Sequence, residues 1–235
     1  MFHNAVITGA TKGIGLALAE YFAAKGFDLA LSARTETDLL AVQAQLKEKY
    51  PKRTILIQAT DFAKADQIAA FIDKVQQTWS SLDVLINNAG IFYQGEMLSE
   101  AADHLSQMMQ VNVLAPHQLC RAFAPQMKSA GTGHIFNICS VASKKVFPGS
   151  GSYATTKFAL LGLTKALRQE LLDSQVKVTA VLPGATWTAS WEGSGISPSR
   201  LMAPEDVAKA VWQAWDMSPT VVLEELVLRP QQGDL

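Results

Sequence analysis

Short apolar segments alternate with longer segments of helical periodicity along the whole chain. Within the apolar segments polar residues do not alternate with apolar ones, which is typical of strands buried on both faces of a parallel sheet. The pattern predicts seven strands, at Ala5–Ile7, Leu29–Leu31, Ile55–Ile57, Val84–Ile86, Ile135–Ile138, Val178–Leu182 and Val221–Leu223. The segments between them carry apolar residues on one helical face. We therefore predict an α/β fold with a doubly wound, seven-stranded parallel sheet.

The size and composition of the chain suit one large domain. It has 235 residues, of which 49% are hydrophobic and 17% charged. Because no linker or repeat divides the sequence, we expect a single domain over residues 1–235, with a polar, flexible segment at 188–204 that we interpret as a substrate loop.

The charge pattern and the apolar runs argue against two classes of partner. A net charge of −1 without clustered cations argues against nucleic-acid binding. No apolar run reaches the length of a membrane span, and we expect no secretory leader because the first predicted strand begins by about Asn4. We therefore expect no membrane partner and a cytoplasmic location.

The cysteines and histidines lack the spacing of a metal site. Cys120 and Cys139 do not form a CxxC pair, and the four histidines are scattered along the chain, so we predict no metal. Cys139 lies beside Ser140, but no histidine completes a nucleophile pattern there. We interpret this cysteine as a small buried thiol.

Glycines follow the first predicted strand, at the sheet edge where open α/β proteins bind ligands. The turn from Thr8 to Gly15 has glycines at positions 9, 13 and 15. Glycine permits a tight turn and a close approach of the backbone to a pyrophosphate, which the positive end of the following helix would favour. The spacing differs from GxGxxG, so the turn predicts a dinucleotide site only together with other motifs.

The end of the second predicted strand indicates which dinucleotide is bound. Ala33 and Arg34 stand where an acidic residue would receive the ribose 2′-hydroxyl of NAD. Lys12, in the glycine turn, supplies a second cation for a 2′-phosphate. We predict NADP(H) as the cofactor, although two ordinary surface cations would give the same pattern.

Tyr153 and Lys157 are one helical turn apart on a predicted helix, which Ser152 could cap. A cation close to a phenol favours the phenolate, so Tyr153 could give and take a proton near neutral pH. The YxxxK pattern is common on solvated helices, and its specificity here comes from the accompanying motifs.

Asn112 lies in a long helical pattern, at about 100–128, and Pro116 follows four residues later. Proline has no N–H for the carbonyl four positions back. We therefore expect a kink and an Asn112 carbonyl that is free to hold a water. The alternative is that Pro116 merely bends a surface helix.

Together these motifs resemble the short-chain dehydrogenase/reductase family. They are Thr8-Gly-x-x-x-Gly-x-Gly15, Asn87-Asn-Ala-Gly90, Asn112, Ser140, Tyr153-x-x-x-Lys157 and Pro183-Gly184 with Thr188. The resemblance implies a Rossmann-type enzyme that interconverts a carbonyl and an alcohol by hydride transfer with NADP(H). It implies that Ser140 polarises the carbonyl and Tyr153 handles the proton. Lys157 would hold the nicotinamide ribose and favour the tyrosinate, and Asn112 would hold a water linked to the lysine.

The resemblance also implies a set of cofactor-binding residues. They are Gly9, Thr11, Lys12, Gly13, Ile14, Gly15, Arg34, Asp61, Asn88, Ala89, Gly90, Tyr153, Lys157, Pro183, Gly184, Thr186 and Thr188.

Several expectations about substrate and partners remain open at this point. The resemblance implies a small-molecule substrate and a homodimer or homotetramer. A leucine stripe could supply the interface or could equally face the core: Leu160, Leu163, Leu167 and Leu171.

Two alternative functions remain open. Reduction of a 3-oxoacyl carrier protein is one of them. A non-catalytic NADP-binding sensor is the other, although the joint presence of a serine, a tyrosine and a lysine argues against it.

Aromatic residues near the predicted cleft could form an apolar pocket: Phe92, Tyr93, Phe147, Trp187 and Trp191.

Overall fold

Seven parallel strands form one sheet in the order β3-β2-β1-β4-β5-β6-β7. The computed structural model describes residues 3–188, 191, 193 and 195–235. The order of the strands reverses between β1 and β4, which leaves a crevice at the carboxyl edge of the sheet. The predicted doubly wound fold is confirmed. The strands are β1 Asn4–Thr8, β2 Asp28–Ala33, β3 Ile55–Ala59, β4 Val84–Asn87, β5 Gly133–Ile138, β6 Val176–Pro183 and β7 Glu225–Leu228.

Helices cover both faces of this sheet. In the described part of the chain they are α1 Gly13–Ala24, α2 Glu36–Lys49, α3 Ala65–Thr78, α4 His104–Met109, α5 Ala115–Ala130, α6 Gly151–Glu170 and α7 Pro204–Trp215. Helices α1, α2 and α7 pack on one face, and α3, α5 and α6 on the other. Neighbouring residues of β1 serve both cores, since Ile7 packs with α1 and Val6 with α3. Burial on both faces explains the continuous apolar pattern of the strands.

The last strand lies at Glu225–Leu228, so its prediction at Val221–Leu223 is wrong. Lys177 holds the preceding chain at the other end of β6 by donating hydrogen bonds to the carbonyl oxygens of Met217 and Ser218, at 2.9 and 2.7 Å. The chain therefore runs along the edge of the sheet before it pairs with the second half of β6. The apolar run at 221–223 therefore does not show where the backbone begins to pair with β6.

The predicted helix at 100–128 is interrupted by a π-helical turn at Gln110–Leu114, between α4 and α5. In this turn the N–H of Ala115 bonds to the carbonyl of Gln110, five residues back. Because Pro116 offers no N–H to the Asn112 carbonyl, a widened turn replaces the regular α-helical bonds at this position.

The leucine stripe of α6 faces the interior of the molecule. Leu160 and Leu171 are buried, and Leu163 and Leu167 pack against the core. The core-facing interpretation of the stripe is therefore correct, and α6 exposes Phe158 instead. Among the described residues no helix combines the length and the apolar character needed to cross a bilayer.

Candidate active site

A cavity of about 740 Å³ opens where the strand order reverses. Its volume is in the range of small-molecule sites. Most predicted site residues line it: Gly9, Lys12, Gly13, Ile14, Gly15, Asn88, Ala89, Gly90, Ser140, Tyr153, Lys157, Pro183, Gly184, Thr186 and Thr188. The remaining four predicted residues, Thr11, Arg34, Asp61 and Asn112, are not part of its lining.

The glycine turn is packed so closely that it excludes side chains. Gly9 and Gly13 have φ angles of +65° and +53°, in the left-handed region that favours glycine. A Cβ atom on Gly15 would lie 2.0 Å from the carbonyl oxygen of Gly9, and one on Gly13 would lie 2.7 Å from Cγ2 of Thr188. The backbone at the start of α1 therefore lies bare against the cavity, as a phosphate cradle requires.

The side chain of Asn88 braces this turn. Its Nδ2 donates to the carbonyl oxygens of Thr8 at 2.9 Å and Gly9 at 3.1 Å. The hydroxyl of Thr8 in turn accepts the N–H groups of Asn88 at 3.0 Å and Ala89 at 2.9 Å. These four hydrogen bonds tie the end of β1 to the end of β4, a role that the motif alone did not reveal.

Ser140 lies directly after β5 and caps a short 3₁₀ turn. Its Oγ accepts the N–H of Ala142 at 3.1 Å, and the Oγ of Ser143 accepts the N–H of Ser140 at 3.3 Å. Because the Ser140 hydroxyl is an acceptor in that bond, its hydrogen remains free to be donated to a ligand in the cavity. The turn thus fixes the position of Ser140 Oγ and leaves its O–H group available to donate a hydrogen bond.

Tyr153 and Lys157 project from the first two turns of α6. Lys157 is buried, and its ammonium donates to the carbonyl oxygen of Ile138 at 2.9 Å and lies 5.7 Å from the centre of the Tyr153 ring. An ammonium has three donors, so this bond leaves two for other acceptors. Phe92 packs edge-on against Tyr153, with 4.9 Å between ring centroids.

The start of α6 is held by a segment that the sequence did not connect to it. The helix begins at Gly151 without a side-chain cap, so the prediction that Ser152 caps it is wrong. The hydroxyl of Ser152 donates instead to the carboxylate of Glu100, and the N–H of Gly95 bonds to the carbonyl of Gly149 at 3.0 Å. The loop after β4 therefore lies against the first turn of the helix that carries Tyr153.

The side chain of Asn112 is fully buried and makes three hydrogen bonds. Its Oδ1 accepts the N–H of Ile91 at 2.8 Å, and its Nδ2 donates to the Ile91 carbonyl at 2.9 Å and to Thr156 Oγ1 at 3.0 Å. It lies behind Gly90, where an added Cβ would be 3.3 Å from Asn112 Oδ1 and 3.8 Å from Lys157 Nζ. Asn112 thus joins the loop after β4 to α6 beside the buried ammonium.

Lys12 and Arg34 are both exposed to solvent, and of the two only Lys12 lines the cavity. The Lys12 ammonium is 3.5 Å from a carboxylate oxygen of Asp38, and its side chain is 69% exposed. Arg34, directly after β2, is exposed. The Oδ1 of Asp61 accepts the N–H of Ala63 at 3.0 Å, which stabilises the turn before α3.

A buried polar chain behind the site was missed by the sequence patterns. Asn87 donates to Oδ1 of Asn137 at 2.8 Å and to the sulfur of Cys120 at 3.3 Å, and Asn137 donates to the hydroxyl of Thr164 at 2.9 Å. Asparagine in otherwise apolar strands is the signal that could have revealed it.

The two cysteines are buried free thiols. Burial raises the pKa of Cys120 to about 12 and that of Cys139 to about 11, so both stay neutral thiols near neutral pH. This agrees with the interpretation of Cys139 as a buried thiol. No cluster of His, Cys, Asp and Glu suited to a metal ion occurs among the described residues.

The lining of the cavity includes two residues that no motif indicated, Asp234 and Leu235. Arg200 holds their segment by donating hydrogen bonds to the main-chain oxygens of Gly233 at 3.1 Å, Gln232 at 3.3 Å and Asp234 at 3.3 Å. Arg229 forms an ion pair with the Asp234 carboxylate.

The predicted aromatic pocket is formed only in part. Phe92, Phe147 and Trp191 line the cavity, whereas Tyr93 and Trp187 do not. Tyr93 stacks on the ring of His104 instead. Positions 189, 190, 192 and 194 of the predicted substrate loop 188–204 lie outside the described residues.

Comparison with known proteins finds the same architecture. The family model for short chain dehydrogenase matches residues 3–195. An uncharacterised oxidoreductase of Staphylococcus aureus is 31% identical over 226 residues, which cover 96% of each chain. The structure of an alcohol dehydrogenase from the archaeon Thermococcus sibiricus, complexed with 5-hydroxy-NADP, is 28% identical with a TM-score of 0.91, over 100% of this chain and 99% of that one. A metagenomic short-chain oxidoreductase in complex with NADP is 32% identical with a TM-score of 0.85, over 97% of each chain.

Proposed function

Because this chain belongs to the short-chain dehydrogenase/reductase family and is an oxidoreductase, we propose that it interconverts a carbonyl compound and an alcohol by hydride transfer with NADP(H). Tyr153 is the acid and base. One observation carries the proposal: the glycine turn shares a single cavity with Ser140, Tyr153 and Lys157. A sensor that only binds the nucleotide does not require the hydroxyl of Ser140, the phenol of Tyr153 and the buried ammonium of Lys157 in the same cavity as the glycine turn.

The residues present fit NADP(H), and the two similar structures that contain NADP or its 5-hydroxy form support this cofactor. The bare backbone of the glycine turn and the start of α1 would hold the pyrophosphate. Arg34 directly follows β2, Lys12 lies in the glycine turn, and both are exposed. These two cations would bind the 2′-phosphate. When bound, the cofactor supplies or accepts the hydride at its nicotinamide ring.

The protein's own groups manage the substrate oxygen and the proton. Ser140 donates its free hydroxyl hydrogen to the carbonyl oxygen and so orients and polarises the carbonyl. Tyr153 gives its proton to that oxygen as the alcohol forms, or takes the proton in the reverse direction. The Lys157 ammonium, held by Ile138, stabilises the tyrosinate that remains.

Asn112 holds the surroundings of this ammonium in place. Its side chain fixes the main chain of Ile91 and the hydroxyl of Thr156, one residue before Lys157. We propose further that its carbonyl, which Pro116 leaves without an α-helical partner, binds a water that connects Lys157 to solvent.

The substitution Tyr153→Phe tests the proposal, because it keeps the ring that packs on Phe92 and removes the hydroxyl. We expect turnover to fall by roughly 10²- to 10⁴-fold, as for loss of a general acid, while NADPH binding is retained. Consumption of NADPH is followed by absorbance with a panel of ketones and aldehydes, and binding is measured by calorimetry. Turnover at the wild-type rate in the variant contradicts the assignment. NADPH binding without any turnover by the wild type favours a sensor.

We also propose that one domain over residues 1–235 holds both the cofactor and the substrate. A cytoplasmic location and a homodimer or homotetramer complete the proposal. Exposed apolar side chains such as Phe158 on α6 and Leu114 in the π-helical turn are candidates for a subunit interface. A monomer mass by light scattering at all working concentrations would contradict the oligomer.

A further inference from the structure

The cavity that holds Ser140 and Tyr153 is also lined by a group of apolar side chains. They are Ile91, Phe92, Val141, Phe147, Trp191 and Leu235. Phe92 and Leu235 are each 45% exposed while lining the cavity, so they offer apolar surface that a substrate can cover.

The charged side chains of the described lining are Lys12, Lys157 and Asp234. Lys12 belongs to the glycine turn. Lys157 is buried and bonded to the Ile138 carbonyl, and in the proposed function its two remaining donors serve the nicotinamide ribose and the Tyr153 oxygen. Asp234 is neutralised by its ion pair with Arg229. Within the described lining, no cation is left to receive a carboxylate or phosphate of a substrate.

We propose that this site selects an uncharged carbonyl compound with an aryl or bulky alkyl substituent and discriminates against oxo acids and phosphorylated substrates. This inference rests on the proposed function. A carboxylate beside Leu235 would lose its water without gaining a cation, which is costly. An aryl group in the same cavity gains contact with aromatic rings of the lining, among them Phe92, which packs edge-on against Tyr153.

The segment that carries Leu235 is placed firmly enough to contribute to selection. Arg200 fixes three consecutive main-chain oxygens of this segment, at positions 232–234. Four residues before position 232, the carbonyl of Leu228 at the end of β7 accepts the N–H of Gly184 at 2.8 Å, and Gly184 itself lines the cavity. Leu235 is therefore a specificity-determining residue.

Lys145 offers the competing possibility of an anionic substrate. Its ammonium lies 5.0 Å from the centre of the Phe147 ring, outside the lining of the cavity. A carboxylate or the acidic surface of a carrier protein could meet it at the mouth. The variant Lys145→Gln tests this possibility directly.

The experiment compares methyl 4-acetylbenzoate with 4-acetylbenzoate, which share the ketone and the ring and differ in charge. We expect kcat/KM to favour the ester by roughly 100-fold. Leu235→Lys adds a cation to the wall and should reduce the preference by roughly tenfold, by raising the value for the acid. Leu172→Lys is the matched control, since Leu172 is 48% exposed beyond the far end of α6, about 30 Å along the helix axis from Gly151, and should leave the ratio unchanged. Equal or reversed preference in the wild type overturns the inference.

A binding measurement separates this inference from the proposed function. The Tyr153→Phe protein saturated with NADPH is titrated with each compound by calorimetry, and the ester should again bind more tightly. Turnover of the acid alone would leave the function intact and overturn the selection. If neither compound is turned over by the wild type, the proposed function loses support, and the titration still decides the selection. Acid binding that disappears in Lys145→Gln overturns the inference in favour of an anionic substrate.

Discussion

Mild acid should destabilise this protein through one buried imidazole, that of His134 on β5. The side chain has no solvent exposure, and its Nε2 lies 2.7 Å from the hydroxyl of Thr179. That hydroxyl gives its hydrogen to the carbonyl of Leu223, so the imidazole must donate from Nε2. Nδ1 is then the unprotonated nitrogen, and it is buried without a hydrogen-bond partner in the part of the chain that the structure describes.

The magnitude follows from the pKa. Burial, with a smaller contribution from Lys177, lowers the pKa of His134 from 6.5 to about 3. Between these values the unfolded chain binds a proton that the folded protein does not. The contribution of the neutral His134 imidazole to the unfolding free energy is therefore fully present above pH 6.5 and is lost as the pH falls towards the folded pKa. From about pH 7.5 to about pH 5 the loss is about 2 kcal/mol, out of about 5 kcal/mol over the whole interval.

Urea unfolding at several pH values measures this loss, with His134→Gln as the control. Glutamine can still donate to Thr179 but does not titrate, while the exposed carboxylates stay the same. The difference in unfolding free energy between the two proteins should narrow by about 2 kcal/mol between about pH 7.5 and about pH 5, equivalent to a melting temperature change of about 4–8 °C.

Parallel pH profiles for wild type and variant would refute the reasoning. Nitrogen NMR of the imidazole gives an independent check if the glutamine variant does not fold. The folded wild type should keep the Nε2–H tautomer down to about pH 5, and a signal that titrates near pH 6.5 would show an accessible imidazole.

Three further predictions concern the site. Gly15→Ala places a Cβ 2.0 Å from the Gly9 carbonyl oxygen and should weaken NADPH binding by roughly 100-fold or more; wild-type affinity by fluorescence titration in a folded variant would show that the turn can yield. Arg34→Ala should raise the Kd for NADPH by roughly tenfold or more and leave that for NADH unchanged, and an equal change for both cofactors in calorimetry would remove its role at the 2′-phosphate. Asn112→Ala leaves Ile91 and Thr156 without three hydrogen bonds and should lower the unfolding free energy by about 3 kcal/mol; an unchanged urea midpoint would contradict this.

The strands and the position of the site could be predicted because both depend on local sequence. Ile7 and Ile86 lie in strands covered on both faces, so continuous apolar runs identify them. Glycines and polar residues directly after β1, β4 and β5 then indicate that the site lies at the carboxyl edge of the sheet. The order of these motifs, together with Tyr153 and Lys157, was enough to place most of the cavity.

The features that escaped prediction depend on contacts between distant parts of the chain. Ser152 has the chemistry of a helix cap, but Glu100, fifty-two residues earlier, takes its hydrogen bond. β7 begins where the backbone meets β6 and not where the chain is most apolar. The wall at Asp234 and Leu235 follows from Arg200, which binds main-chain oxygens and so leaves no pattern in the residues that it holds.

That clamp has a consequence for how the protein can diversify. Arg200 grips carbonyl oxygens, which every amino acid possesses, so most side chains of residues 232–235 can be exchanged without loosening their attachment. The residues proposed for catalysis lie on α6 and directly after β5, and they do not take part in these hydrogen bonds. Mutation can therefore reshape one surface of the pocket while the proposed catalytic residues stay unchanged. On the proposed function, a new substrate preference could then evolve by single substitutions that each leave the enzyme active.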